Sequence, residues 1–451
     1  MFIKRILLSF PLALLFLAGC KTDPDFTGQD DIDRQLIAQL EKQSPSSSIA
    51  YFILPNSDDY TSIPQDPRNP ITDAKVELGK QLYHETCIGL DVKGPSMNLQ
   101  TYSCASCHHA AAGFQSGIRQ GIGEGGSGFG FQGEGRSPIP GFVDSIYDVQ
   151  PVKSPSILNA AYQEAQLWNG QFGAVGPNVG TESQWTPGTP KEANTLGYHG
   201  VETQAIAGLT VHRLRIDTQL ISVVPGYASL FEAAYPGLSG ADQVNTINAA
   251  LAIAAYERTV LANQSPFQDW LKGDYSAMSE DEKRGAILFF GKAECYKCHT
   301  GPALNSMEFH ALGMGDLLGS EIINSDPYDA AHTGRGGFTG NPSDDYKFKV
   351  PQIYNLREAL VYGHGATFAT IEDVVKYKNT AVKGNSNVPD GQLSEHFKPL
   401  NLTKDEIEQI TQFLYLSLHD DNLERYVPSS LLSDFCFPNN DPQSRTDLGC
   451  Q

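Results

Sequence analysis

Two short runs, Cys104-Ala105-Ser106-Cys107-His108 and Cys295-Tyr296-Lys297-Cys298-His299, each place two thiols three positions apart with an imidazole directly behind. Thiols at that spacing can add to both vinyl groups of one haem, and the histidine that follows can bind its iron. The implied chemistry is two covalently bound c-type haems. Cys104 and Cys107 attach one and Cys295 and Cys298 the other, with His108 and His299 as the proximal iron ligands. His109 follows directly and is too close to His108 to reach the opposite face of the same haem.

A haem with two strong axial ligands only passes electrons. Reducing hydrogen peroxide requires an open iron position, a polar group that moves a proton between the peroxide oxygens, and two electrons. Two haems in one chain can supply both electrons, although multihaem electron-transfer proteins also carry two.

The elements that must hold these motifs are mainly helical. Residues 31–43 have helical apolar spacing and end in a Ser/Pro break. Residues 72–84 read as an amphipathic helix leading into the first motif, with Gly79 as an interior weakness. Further helices are expected over 154–169, 202–214 and 242–261, the last apolar enough to lie in the core. Capping boxes at Ser279, Thr370 and Thr403 open three more, and the first runs straight into the second motif. "Helix, then CxxCH" thus occurs twice, a coarse repeat. The fold expected is mainly α, with two cytochrome c-like domains, each holding one haem. The boundaries expected are 71–275 and 276–428, preceded by a tether and helix over 21–70 and followed by an irregular tail over 429–451. The glycine-rich stretch 113–141 contains a formal dinucleotide pattern at Gly121, Gly123 and Gly126. No strand precedes it, so a mobile loop over the haem is the expectation.

The chain has 451 residues and a formal charge of −20. That length allows two or three domains, and the acidic balance argues against a nucleic-acid partner. It suits a basic or small neutral partner, or is simply a solvated acidic surface. Residues 1–20 have a signal-peptide shape: Lys4 and Arg5, an apolar run, then Leu17-Ala18-Gly19-Cys20. That ending resembles a bacterial lipobox, which implies lipidation of Cys20 and a membrane anchor on the periplasmic side of the cell envelope, at the outer membrane. A plain secretory signal is the alternative. Of the remaining cysteines, Cys436 and Cys450 are expected to pair and Cys87 to stay buried and inert.

Between residues 78 and 418 the order of motifs resembles the di-haem bacterial cytochrome c peroxidases and their MauG-type relatives. The resemblance is carried by the two CxxCH motifs, Ser154-Pro155 with Leu158-Asn159-Ala160-Ala161, and Leu167-Trp168-Asn169-Gly170. It continues through Glu202-Thr203-Gln204-Ala205, Thr300-Gly301-Pro302, Phe348-Lys349-Val350-Pro351 and Tyr362-Gly363-His364-Gly365. It implies that the first haem is peroxidatic and the second a higher-potential electron store. Trp168 would be a relay between them, Gln204 a catalytic residue, and His364 a group near the haem edge. A core indole and a turn histidine are the alternatives for Trp168 and His364. The implied partners are hydrogen peroxide and a small cytochrome c or cupredoxin donor, with a possible homodimer.

The departures are specific. Family members carry a histidine after the first motif that caps its iron, whereas no His or Met lies between His109 and His199 here. An open or water-bound first iron is therefore expected. The family glutamate after the Gln-Ala pair falls near Leu214, and His212 becomes the candidate proton shuttle, with a structural helix-end histidine as the alternative. The second haem's distal position falls on Lys378, with Tyr377, Met307 and Met314 as alternatives. The asparagine that binds calcium in the family is Lys153 here, which speaks against calcium. A MauG-like oxidase of a protein or organic substrate is the second functional reading, and a non-catalytic electron-transfer or redox-sensing cytochrome the third.

Overall fold

In a computed structural model describing residues 30–450, each CxxCH motif is reached from a helix crossed by a second helix from far along the chain. The helices that position the site are α1 (Asp31–Gln43), α2 (Asp73–His84), α3 (Gly200–Val211), α4 (Thr246–Thr259), α5 (Glu280–Phe289), α6 (Ile371–Thr380), α7 (Lys404–Gln412) and α8 (Pro442–Leu448). In the first half α2 is crossed by α4, and in the second α5 is crossed by α7. Both crossings turn on a glycine. A Cβ at Gly79 would lie 2.0 Å from the Ala252 carbonyl oxygen, and one at Gly285 would lie 2.0 Å from that of Gln409. Gly79 is therefore a contact surface between helices, and the helix-weakening cost of glycine is offset by close backbone packing.

The helix starts are chemically explicit. Thr72, Ser279, Thr370 and Thr403 each accept a backbone N–H of the first turn, and Thr403 forms the full reciprocal box with Glu406. α4 is buried on every side from Ala249 to Thr259, which explains its uniform apolarity. One continuous core joins Leu78 and Leu82 of α2 to Phe267, Trp270, Phe289 and Phe413. α1 is tied to the second half by the buried pair Lys283–Asp33 at 2.8 Å, and Asp33 also accepts the Trp270 indole N–H at 2.7 Å. Removing one partner of such a pair typically costs about 3–5 kcal/mol.

Four segments differ from the expectations. Residues 154–169 form no α-helix, only a 3-10 turn at Ala160–Tyr162. Their backbone groups are taken by other segments: Ile157 N–H donates to Phe114 and Asn159 N–H to Val260. The helix expected over 242–261 is α4 alone, because Asn245 caps it and separates it from a short turn of helix at Gly240–Gln243. The glycine-rich stretch is largely buried, carries a two-residue antiparallel pairing of Gly126–Ser127 with Ser137–Pro138, and is pinned by Arg136 to the Gly123 carbonyl at 2.7 Å. The tail is not irregular: it contains α8, and Cys436 bonds Cys450 as expected. Cys87 is buried and free. The leader, Cys20 and the tether up to residue 29 lie outside the described residues. Among the described residues no helix is long and apolar enough to cross a membrane.

Candidate haem sites and the junction between them

At the first motif a single 3-10 turn, Cys104–Ser106, presents two free, half-buried thiols. His108 is half-buried and its Nδ1–H donates to the Pro155 carbonyl at 2.9 Å. Burial first, and the charge of His212 second, push its pKa down to about 4. The imidazole is thus neutral, with Nε2 left as the iron-binding nitrogen. The Tyr83 hydroxyl of α2 donates to the His108 carbonyl at 2.6 Å, so the helix before the motif holds the ligand's backbone.

His212 caps the end of α3, eight residues after Gln204 with Gly208 between them, so all three share one stripe of the helix. Its Nδ1–H donates to Asp148 Oδ2 at 2.8 Å. Burial lowers the His212 pKa, but the Asp148 charge and hydrogen bond outweigh it, and the net shift is upward. Asp148 is held by the glycine-rich stretch: its N–H donates to Glu124 at 3.0 Å and its carbonyl accepts from Gly123 at 2.9 Å. A Cβ at Gly123 would fall 2.4 Å from Asp148 Oδ2, and one at Gly121 would fall 2.9 Å from Cys107 Sγ. These glycines let the backbone form a wall beside the thiol and the acid. Glu124 also pairs with buried Arg213, the residue after His212. His109 lies buried against Phe129 with ring centroids 4.9 Å apart, a neighbour of the site as expected.

The second motif repeats the arrangement. His299 Nδ1–H donates to the Leu304 carbonyl at 3.0 Å, and burial lowers its pKa to about 4. Lys378 lies within the electrostatic reach of Cys295, Cys298 and His299. Burial lowers its pKa while the two thiols oppose the shift. Tyr377 is turned elsewhere, its hydroxyl donating to the Leu312 carbonyl at 2.6 Å. Met314 lines the same cavity as Lys378 and His299; Met307 does not.

Between the motifs, the Trp168 indole N–H donates to the Lys153 carbonyl at 2.8 Å, and the ring meets His364 edge-on at 6.2 Å. His364 stacks on Phe348 at 3.6 Å and bonds Asp316 through Nε2 at 3.3 Å; burial outweighs the Asp316 carboxylate and lowers its pKa. Phe348–Lys349 pairs antiparallel with Phe309–His310, fixing that stacking face.

The donor set fits two c-type haems. Each site offers two unpaired thiols and a neutral imidazole whose Nδ1 is already committed to a backbone carbonyl.

The family model for di-haem cytochrome c peroxidase matches residues 73–276. Cytochrome-c peroxidase IdrP1 of Denitromonas iodatirespirans is 30% identical over 372 residues, covering 78% of this chain and 83% of that protein. The chain belongs to the di-haem cytochrome c peroxidase/MauG family. As a member it is an oxidoreductase, and the family implies two c-type haems. The methylamine utilization protein MauG of Methylorubrum extorquens is 28% identical over 357 residues, covering 78% of this chain and 80% of that one. Among solved structures, a MauG-like protein associated with microbial copper homeostasis shares the fold with a TM-score of 0.57, at 23% identity, over 84% of this chain and 98% of that one.

The site residues that no sequence motif pointed to are Asp148, Glu124 and Arg213. The nearest signal was adjacency: Arg213 follows His212, and Glu124 stands between the glycines of the rejected dinucleotide pattern.

Proposed function

We propose that this chain reduces hydrogen peroxide to water with electrons from a small cytochrome c or cupredoxin. The observation that carries this reading is the His212–Asp148 hydrogen bond of 2.8 Å, on the α3 stripe shared with Gln204 and close enough to influence His108. When bound, the haems supply the iron at which peroxide is reduced and the path for two electrons. The remaining steps are the protein's. Asp148 fixes the tautomer of His212, leaving Nε2 to take a proton from one peroxide oxygen and return it to the other. Gln204 orients the peroxide from the same helix face. Trp168 spans the junction as the relay. Two electrons and two protons per peroxide give two waters.

His108 of the first site would hold the reacting iron, and no His or Met between residues 110 and 198 is available to cap it. Lys378, within electrostatic reach of Cys295, Cys298 and His299, would be the distal group that holds the second haem. His364, braced by Phe348 and Asp316, supports the haem edge. The signal-peptide-shaped leader ending in Leu17-Ala18-Gly19-Cys20 supports an envelope location, lipid-anchored at the outer membrane and facing the periplasm, where c-type haem is attached.

Peroxide-dependent oxidation of small ferrous cytochromes and reduced cupredoxins by the haem-loaded protein tests this. Two donor equivalents consumed per peroxide is the expected result. A protein that reacts with peroxide yet oxidises no small donor belongs instead to the second reading, a MauG-like oxidase of a protein or organic substrate. The missing methionine at the Lys378 position and an open first haem favour that alternative.

A further inference from the structure

The junction contains two buried lysines with no carboxylate partner among the described residues. Lys153 Nζ donates to Gln115 Oε1 and Lys349 Nζ donates to Gln163 Oε1. Both residues are at least nine-tenths buried, at 2% and 5% exposure. Their places in the chain are equivalent. Lys153 stands two residues before Pro155, whose carbonyl accepts His108 Nδ1–H. Lys349 stands two residues before Pro351, a backbone acceptor that bears on His299. Trp168 is tied to both: its indole N–H donates to the Lys153 carbonyl at 2.8 Å, and its own carbonyl accepts the Lys349 N–H at 2.7 Å. A further bond, Lys153 N–H to the His364 carbonyl at 2.8 Å, closes the set.

Calcium does not fit this place. The side chain at the position expected to ligate it is an ammonium, and its immediate partner is a neutral amide. Among the described residues, the group of His, Cys and carboxylate ligands that could share an ion is Cys298, Glu308 and His310, and its thiol is one of the two in the second CxxCH motif.

We propose that Lys153 and Lys349 are a pair of positioning residues: their backbone groups clamp Trp168 between the supports of the two proximal histidines, and their internal ammonium groups supply the positive charge a bridging divalent cation would otherwise supply. An unpaired ammonium is costly to bury, so two at one junction are a cost that a merely structural role would not require. A fixed positive charge beside two redox centres stabilises their reduced, more negative forms, and in a low-dielectric interior the effect reaches both sites. The amides of Gln115 and Gln163 satisfy the lysine donors without cancelling their charge. The proposal rests on the reading of two haem sites and not on peroxide turnover.

The test uses the haem-loaded full chain at about pH 6, below the value of about 7 to which burial pushes both ammonium groups. Midpoint potentials of both haems are measured with a calcium chelator and with millimolar calcium, and calcium content is measured after dialysis. Wild-type protein is expected to hold no calcium and to show the same potentials in both buffers. Lys153→Gln and Lys349→Gln are each expected to lower the potentials, read as a several-fold smaller reduced fraction at a fixed poise. Lys153→Arg and Lys349→Arg keep the charge and should keep the potentials; they serve where a glutamine variant does not fold. Calcium retained by the wild type, glutamine variants with unchanged potentials, or arginine variants with lowered ones would each overturn the proposal.

Discussion

Asp148 Oδ2 accepts the Nδ1–H of His212 at 2.8 Å across 64 positions of sequence, joining the wall of the first haem site to the end of α3. The glycines of that wall are needed where they stand: Gly123 makes room for the Asp148 carboxylate and Gly121 for Cys107. The pair raises the His212 pKa above its ordinary value. A histidine raised in this way stabilises the folded state below its unfolded value of about 6.5, and that contribution fades as pH rises through the folded value.

Asp148→Asn removes the charge that holds His212 up. The acid limb of the peroxide pH–rate profile is expected to move to lower pH, because a less basic His212 is deprotonated sooner. The plateau falls at the same time, because the ring loses its fixed tautomer. A profile superimposable on wild type would separate Asp148 from the proton step.

His212→Ala should reduce peroxide turnover by about 10²–10⁴-fold, the usual contribution of a positioned acid–base group. Both haem spectra should be unchanged, since His108 keeps its bond to Pro155. Unchanged turnover would remove His212 from the mechanism.

Gly79→Ala and Gly285→Ala force a methyl into a backbone carbonyl of the crossing helix. Each is expected to cost about 1–3 kcal/mol or more by overpacking, measured by denaturant unfolding. Gly208→Ala is the control: its Cβ would meet only Gln204 Nε2, at 3.3 Å. It should gain up to about 1 kcal/mol of helix stability.

Lys378→Ala is expected to change the absorption spectrum of the second haem and leave the first unaltered. Tyr377→Phe should change neither, because its hydroxyl is spent on the Leu312 carbonyl. A spectral change in Tyr377→Phe, with none in Lys378→Ala, would exchange the two assignments.

Local chemistry was legible in the sequence where it is local in the structure. The CxxCH motifs, the caps at Ser279, Thr370 and Thr403, and the Cys436–Cys450 pairing all depend on residues close together in the chain. Reading failed where tertiary partners decide. Residues 154–169 have helical composition, yet their backbone is spent on Phe114, Val260 and His108. Asp148 is an unremarkable acid in sequence and becomes His212's partner only because the glycine stretch folds back on α3. Gly79 read as a weakness because Ala252, which it touches, is 173 positions away.

The central claim is that peroxide is reduced at the His108 site with an electron from the His299 site. Rapid mixing of peroxide with half-reduced, haem-loaded protein, following both haems by absorption, tests it most directly. The second haem should be oxidised in step with peroxide consumption, and the fully oxidised protein should show a first haem without two strong axial ligands. Two six-coordinate low-spin haems and no reaction with peroxide would contradict the account.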